Sequence, residues 1–103
     1  MEKYTPHYDL AVIKLDVRRL GRRAFTHTAQ RCGRDLHFSI GEMQEAIYGL
    51  QHWMLYKSMT TYSDHRVWQD VYCTYSKERD IYIKVTYSPD SAPPVISFKE
   101  KNP

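Results

Sequence analysis

The apolar residues of this chain repeat with one period before Trp53 and with another after it, and that switch limits the fold more than any single motif does. Leu10, Ile13, Val17 and Leu20 recur at offsets of three, seven and ten, which puts them on one stripe of a helix. Thr5 followed by Pro6 predicts the start of that helix, a cap and then a proline where its missing N–H costs nothing, and Gly21 predicts its stop. Ile40, Met43, Ile47 and Leu50 repeat the pattern behind Ser39-Ile40-Gly41-Glu42, a capping box, with Gly49 as the terminator. Thr28 to Leu36 reads as a shorter helix, weakened by Gly33 and by β-branched neighbours.

Beyond Trp53, Tyr, Thr, Val and Ile dominate and the helical period is gone. Strands are expected at 55–62, 66–75, 80–88 and 94–100, separated by Ser63-Asp64-His65, by Ser76 to Arg79 and by Ser88 to Pro94. Short loops between successive strands imply an antiparallel meander. Helices that all precede the strands imply an α+β fold, with the N-terminal helices packed on one face of a mainly antiparallel sheet and the other face at least partly open.

At 103 residues the chain is expected to form one domain, 1–103, with a modest core and no room for a large cofactor-binding fold. The longest apolar runs, Leu10 to Ile13 and Trp53 to Tyr56, are four residues each, against the ~18 that a membrane span needs. Met1 to His7 is charged and turn-prone, with no apolar stretch behind it, so a cytoplasmic protein is expected. Cys32 and Cys73 lack any CxxC spacing and are read as two reduced thiols, not as a metal or disulfide framework. A net charge of +3 is too small to argue for a polyanionic partner, so the placement of the charges has to carry that question.

Alternation sorts the strand residues, because successive side chains point to opposite faces. In 80–88, Ile81, Ile83, Val85 and Tyr87 share one side, and Asp80, Tyr82, Lys84 and Thr86 the other. In 94–100, Lys99 falls opposite Ile96 and Phe98; near the start of the sheet, Lys57 groups with Met59 and Thr61. A cationic, partly aromatic face carrying Lys57, Tyr82, Lys84 and Lys99 follows from spacing alone. Such a surface suits RNA, since lysines neutralise phosphates while a tyrosine or methionine supports an unstacked base. Lysines on the wet side of a sheet are as a rule only solvated, and a basic face also docks acidic proteins, so spacing leaves these readings open. The cluster Arg18-Arg19-Leu20-Gly21-Arg22-Arg23 has a similar ambiguity: its first two arginines complement a helix C-terminus, and the last two lie past the stop, free to meet phosphate or an acidic partner.

Histidine is the usual general base near neutrality, and His65, in the turn Ser63-Asp64-His65-Arg66, is the one with carboxylates in reach, Asp64 or Asp70. His7, His27, His37 and His52 make no HxH or HExxH spacing, so no metal site is expected, and a glycine-rich phosphate loop and a GxSxG elbow are both missing.

The string Tyr56-Lys57-Ser58-Met59-Thr60-Thr61-Tyr62-Ser63-Asp64-His65, with Trp68-Gln69-Asp70-Val71-Tyr72 behind it, resembles the motility quorum-sensing regulator (MqsR) family of toxins. Met1-Glu2-Lys3, Thr5-Pro6-His7 and Ile96 to Lys101 look like the ends of the same family, whereas Cys73 to Asp80 departs from it. The resemblance implies a RelE-like, sequence-specific endoribonuclease, an mRNA interferase cutting at GC-containing triplets such as GCU. It implies Lys57, Gln69 and Tyr82 as catalytic residues, with Tyr56 and Met59 beside them as base contacts. It also implies a silencing antitoxin with a zinc-binding part and a helix-turn-helix part, through which alone DNA would be contacted.

RNA carries its own nucleophile in the 2′-hydroxyl, so cleavage needs no serine, cysteine, metal or cofactor, only deprotonation of that hydroxyl, charge stabilisation at phosphorus and a proton for the leaving 5′-oxygen. On that scheme Lys57 stabilises charge, acting as a base only if neighbouring cations lower its pKa; Gln69 donates to a phosphate oxygen or positions the 2′-hydroxyl; Tyr82 relays a proton or bonds the phosphate. Alternation groups Gln69 with Val67, Val71 and Cys73 on a side that looks apolar, whereas the resemblance sends it to the cleft; either a bulge shifts the register or the sheet edge twists to expose it, and a bulge or irregularity near 66–70 is predicted. The alternatives are a non-catalytic RNA-binding module and an interaction protein whose basic face docks an acidic partner.

Overall fold

A computed structural model of the chain describes residues 1–87 and 93–101. Its elements are β1 (Glu2–Lys3), α1 (Leu10–Leu20), α2 (His27–Asp35), α3 (Ile40–Tyr48), β2 (Leu55–Thr60), β3 (Trp68–Ser76), β4 (Arg79–Thr86) and β5 (Val95–Glu100), with 3₁₀ turns at Gly21–Ala24 and His52–Met54. The five strands form one antiparallel sheet in the order β1-β2-β3-β4-β5. The helices cover one face and the other is open, the α+β layering that the two periodicities predict. No helix among the described residues is long and apolar enough to cross a membrane.

The helical stripes build the core as their spacing requires. Leu10, Ile13 and Val17 of α1 and Met43 and Ile47 of α3 are buried against Ile81, Ile83, Val85, Ile96 and Phe98 of the sheet. The capping box closes as read, Ser39 Oγ accepting from the Glu42 N–H at 3.1 Å and Glu42 Oε1 accepting from the Ser39 N–H at 2.9 Å. Gly33 does not break α2. It faces Met43, whose Sδ would lie 2.5 Å from a Cβ added there, so the glycine is what lets α3 approach. α2 ends with His37 in the left-handed region (φ 64°), where the His37 N–H reaches the Arg34 carbonyl and the Phe38 N–H the Gly33 carbonyl.

Three expectations change. Thr5 does not cap α1; the helix begins at Leu10 behind Asp9, whose Oδ1 accepts from the Ala11 N–H at 2.9 Å. The cause is Asp70 on β3, whose buried carboxylate accepts from the His7 and Tyr8 N–H groups at 3.0 and 2.9 Å and keeps that segment off the helix. The strand at Glu2–Lys3 was not expected, because two residues carry no readable alternation. The predicted bulge is also misplaced: β3 pairs with β4 in unbroken register from Gln69↔Thr86 to Ser76↔Arg79, and the irregularity lies in β2, between Leu55 and Lys57. Of the loop expected at Ser88 to Pro94, residues 88–92 lie outside the described residues.

Candidate active site on the open sheet face

The strong pattern of β4 decides which way its neighbours face. Ile81, Ile83 and Val85 are buried under the helices, and directly opposite them on β3 stand Thr74, Tyr72 and Asp70. The residues between, Gln69, Val71 and Cys73, therefore look away from the core. The side that looked apolar in the sequence is the open face, and Gln69 reaches it without a bulge. Val71 is nonetheless buried there, because Lys57 and Lys84 flank it directly on both sides and long lysine stems lie along apolar surface.

Three cross-strand rows make up the site. The middle row is Lys57, Val71, Lys84 and Ser97; on one side lies Met59, Gln69 and Thr86, with Glu2 paired to Met59; on the other lies Cys73, Tyr82 and Lys99. Lys57, Gln69, Tyr82, Met59, Lys84 and Lys99 thus share one face. They do not share one row: strand spacing puts the Lys57 Cα about 8 Å from that of Gln69 and about 12 Å from that of Tyr82, with Gln69 and Tyr82 about 14 Å apart. Hollows lie to both sides of the middle row, one of about 150 Å³ against Tyr82, Lys84, Lys99 and the start of α2, and one of about 230 Å³ against Glu2, Met59, Tyr62 and His65.

The irregularity in β2 has a clear effect on Tyr56. An extra residue between Leu55, which packs on the core, and Lys57, which faces out, turns Tyr56 onto the open side, 51% exposed. Its ring centre lies 6.2 Å from that of Tyr82, with the Lys57 ammonium 5.3 Å away; Lys101 lies 5.9 Å from the Tyr82 ring. Simple alternation had set Tyr56 against Lys57.

The Lys57 ammonium donates to Glu2 Oε2 at 2.7 Å. This hydrogen bond raises the Lys57 pKa above its ordinary value, the opposite of the lowering by neighbouring cations on which a base role was conditional. The same bond lowers the Glu2 pKa, so the carboxylate stays ionised. Neither carboxylate in reach of His65 serves it: Asp64 binds Arg66 through Nε and Nη2 at 3.1 and 3.0 Å, and Asp70 holds the N-terminal segment. His7 is likewise committed, stacked on Trp68 at 5.1 Å, and burial followed by the neighbouring Lys3 charge lowers its pKa. Arg18 lies over the Tyr48 ring of α3 and Arg19 pairs with Asp16 on α1. Among the described residues, no group of three or more His, Cys, Asp or Glu side chains is arranged to hold a metal ion.

Sequence reasoning missed Glu2 and Lys101. Glu2 stood inside a family-like block, but nothing local assigned it a face; Lys101 lies just past the last strand, where alternation ends.

Residues 5–100 match the family model described as "Motility quorum-sensing regulator, toxin of MqsA". The chain is also 41% identical over 101 residues to the mRNA interferase toxin MqsR of Escherichia coli (strain K12), an alignment that takes in 98% of this chain and 100% of that relative. With the quoted strings embedded in a match of this extent, the chain belongs to the motility quorum-sensing regulator family of toxins.

Proposed function

We propose that this toxin is an mRNA interferase, a metal-independent endoribonuclease that cuts messenger RNA at GC-containing triplets such as GCU by attack of the 2′-hydroxyl on the adjacent phosphate. The observation that carries the reading is the placement of Lys57, Gln69 and Tyr82, in neighbouring rows and without a hollow that all three line, on one uncovered face with Lys84 and Lys99. Lys57, held charged, receives the scissile phosphate and offsets the negative charge that builds on it. An in-line displacement has its attacking and leaving oxygens on opposite sides of phosphorus. Gln69 and Tyr82 stand on opposite sides of the Lys57 row, which suits Gln69 to orienting the 2′-hydroxyl and Tyr82 to bonding or protonating the departing 5′-oxygen. Tyr56 and Met59 offer surfaces for unstacked bases, and Lys84 and Lys99 charges for flanking phosphates. The relative's name, mRNA interferase, supports the same activity.

The partner is a cognate antitoxin, in line with a family described by its antitoxin MqsA. We take it to be of the zinc-binding, helix-turn-helix type, with DNA reached only through it, and the site of action to be the cytoplasm, where messenger RNA is translated.

The test is incubation of the purified protein with a long RNA in EDTA. Discrete cuts at GC triplets, ending in 2′,3′-cyclic phosphates and lost in Lys57→Ala, are expected. Tight binding with the RNA left intact would instead favour a non-catalytic RNA-binding module, and dependence on a divalent ion would remove the metal-free scheme.

A further inference from the structure

The three catalytic candidates lack a proton acceptor. Lys57 is held as an ammonium, a glutamine amide is not a base, and Tyr82 is needed on the leaving side. From the geometry of the N-terminal strand we infer that Glu2 is the general base that takes the proton from the attacking 2′-hydroxyl, an inference that rests on the endoribonuclease reading above.

β1 pairs with β2 so that Glu2 stands opposite Met59, in the row that also carries Gln69. Its carboxylate is therefore on the attack side of Lys57 and on the open face, where it lines the hollow shared with Met59 and His65. It bonds the very ammonium assigned to the phosphate, at 2.7 Å. An ammonium has three protons, so Lys57 can keep Glu2 and take a phosphate oxygen together. Two acceptors at tetrahedral positions on one nitrogen lie about 4.5 Å apart, which leaves the carboxylate within hydrogen-bond reach of the hydroxyl next to that phosphate. The charged groups facing Glu2 are Lys57 from β2 and the amino terminus of its own strand, with His65 from the β2–β3 loop lining the same hollow.

The step balances without any further reactant. A Glu2 carboxylate oxygen accepts the 2′-hydroxyl proton as the 2′-oxygen forms its bond to phosphorus. The bond from phosphorus to the 5′-oxygen breaks, its electron pair leaving on that oxygen, which takes the proton of the Tyr82 hydroxyl; the Tyr82 phenolate then regains a proton from solvent, so no net proton is consumed. The products are a 2′,3′-cyclic phosphate and a free 5′-hydroxyl. Protonated Glu2 then returns its proton to solvent.

The experiment compares the full-length wild type with Glu2→Gln and Glu2→Ala on one RNA at saturating concentration. Glu2→Gln is expected to lower kcat by about 10²–10⁴-fold with little change in KM, and to convert a pH-independent rate near neutrality into one that rises tenfold per pH unit, as hydroxide replaces the lost base. Acetate or formate, small enough to enter the vacated space, should restore activity to Glu2→Ala in proportion to its concentration. Unchanged kcat, or a variant that binds RNA more tightly and cuts it as fast, would make Glu2 only the counter-ion of Lys57 and overturn the inference. A slow variant with an unaltered pH profile and no rescue would make it a structural residue and overturn it equally. If the wild type does not cut RNA at all, the endoribonuclease reading fails first.

Discussion

Asp70 is the residue on which the attachment of the N-terminal segment depends. Its side chain is fully buried, and both of its oxygens lie 3.0 Å from the His7 N–H nitrogen, while Oδ2 also accepts from Tyr8 at 2.9 Å. Replacing it with alanine leaves two backbone donors without their acceptor. Hydrogen bonds to a charged group contribute about 1.5–3 kcal/mol each, so Asp70→Ala is expected to cost about 3–6 kcal/mol. A chain of 103 residues has roughly 5–15 kcal/mol of stability in all. The variant should therefore fold marginally, with its Tm lowered by at least about 12 °C. Asp70→Asn keeps one acceptor oxygen and should lose about half as much. Thermal or urea unfolding reads both. Hydrogen exchange at the Thr60 N–H, which donates to the Met1 carbonyl at 3.0 Å, reports whether β1 has come away with the segment. An Asp70→Ala protein that melts within about 2 °C of the wild type, with Thr60 still protected, would refute the claim that this carboxylate is what pins the segment.

Two other predictions concern stability at alkaline pH and RNA binding. Tyr72 is buried with no partner for its hydroxyl, and burial pushes its pKa up to about 12, against ~10 for a phenol in the unfolded chain. Its contribution is complete below pH ~10 and is lost as the pH rises toward 12, because the unfolded chain releases the proton first; the gap is worth roughly 2–3 kcal/mol. Urea titrations between pH 9 and about 12 should show this loss, and Tyr72→Phe should make it smaller, leaving the share of Tyr87 and Tyr8, whose phenol pKa values burial also raises, while gaining about 1 kcal/mol near neutrality; a slope identical in wild type and variant would exclude it. For binding, replacing Lys84 and Lys99 together by alanine should reduce the slope of log affinity against log salt by about 1.4, or 0.7 for each lost phosphate contact, as measured with a non-cleavable 2′-deoxy strand. An unchanged slope would remove both residues from the RNA path.

The layers were legible because each rests on a long repeat. The stripe from Leu10 to Val17 and the alternation from Ile81 to Val85 bury their residues as read. What escaped rests on contacts distant in sequence. The start of α1 is governed by a carboxylate more than sixty positions away, and Thr5-Pro6 carries no trace of it. β3 mixes Gln69, Val71 and Cys73 on one side with Asp70, Tyr72 and Thr74 on the other, so hydrophobicity alone assigns it to the wrong face; the register against β4 assigns it correctly. The bulge prediction was driven by that misassignment. The register break that exists in β2 has no signal in Leu55-Tyr56-Lys57, although it is what turns Tyr56 toward Tyr82. The same holds for the site. Lys57, Tyr82, Lys84 and Lys99 could be drawn onto one face by counting, but the Glu2–Lys57 contact joins residues at the two ends of a long excursion through three helices.

An open face poses a problem that a closed pocket does not. Electrostatic stabilisation of a phosphorane is strong only where water is kept out, and the Lys57 row has no protein lid above it among the described residues. The exclusion has to come from the substrate. Tyr56 and Tyr62 are exposed around the row, and bases stacked on such side chains would roof the scissile phosphate while flanking phosphates settle toward Lys84 and Lys99. Binding energy from parts of the RNA that do not react is then spent on desolvating and aligning the part that does, and truncation should lower kcat as well as affinity. A GC dinucleotide would bring the scissile phosphate, the 2′-hydroxyl and the 5′-oxygen to Lys57, Gln69 and Tyr82, but would lack the flanking bases and phosphates that reach the exposed tyrosines, Lys84 and Lys99. The dinucleotide should be cut at least about 10²-fold more slowly at saturation than an RNA of six or more nucleotides centred on the same step. Equal single-turnover rate constants for the two, with enzyme in saturating excess, would mean that the protein alone dries and organises the site, and that some covering element other than the substrate closes over Lys57.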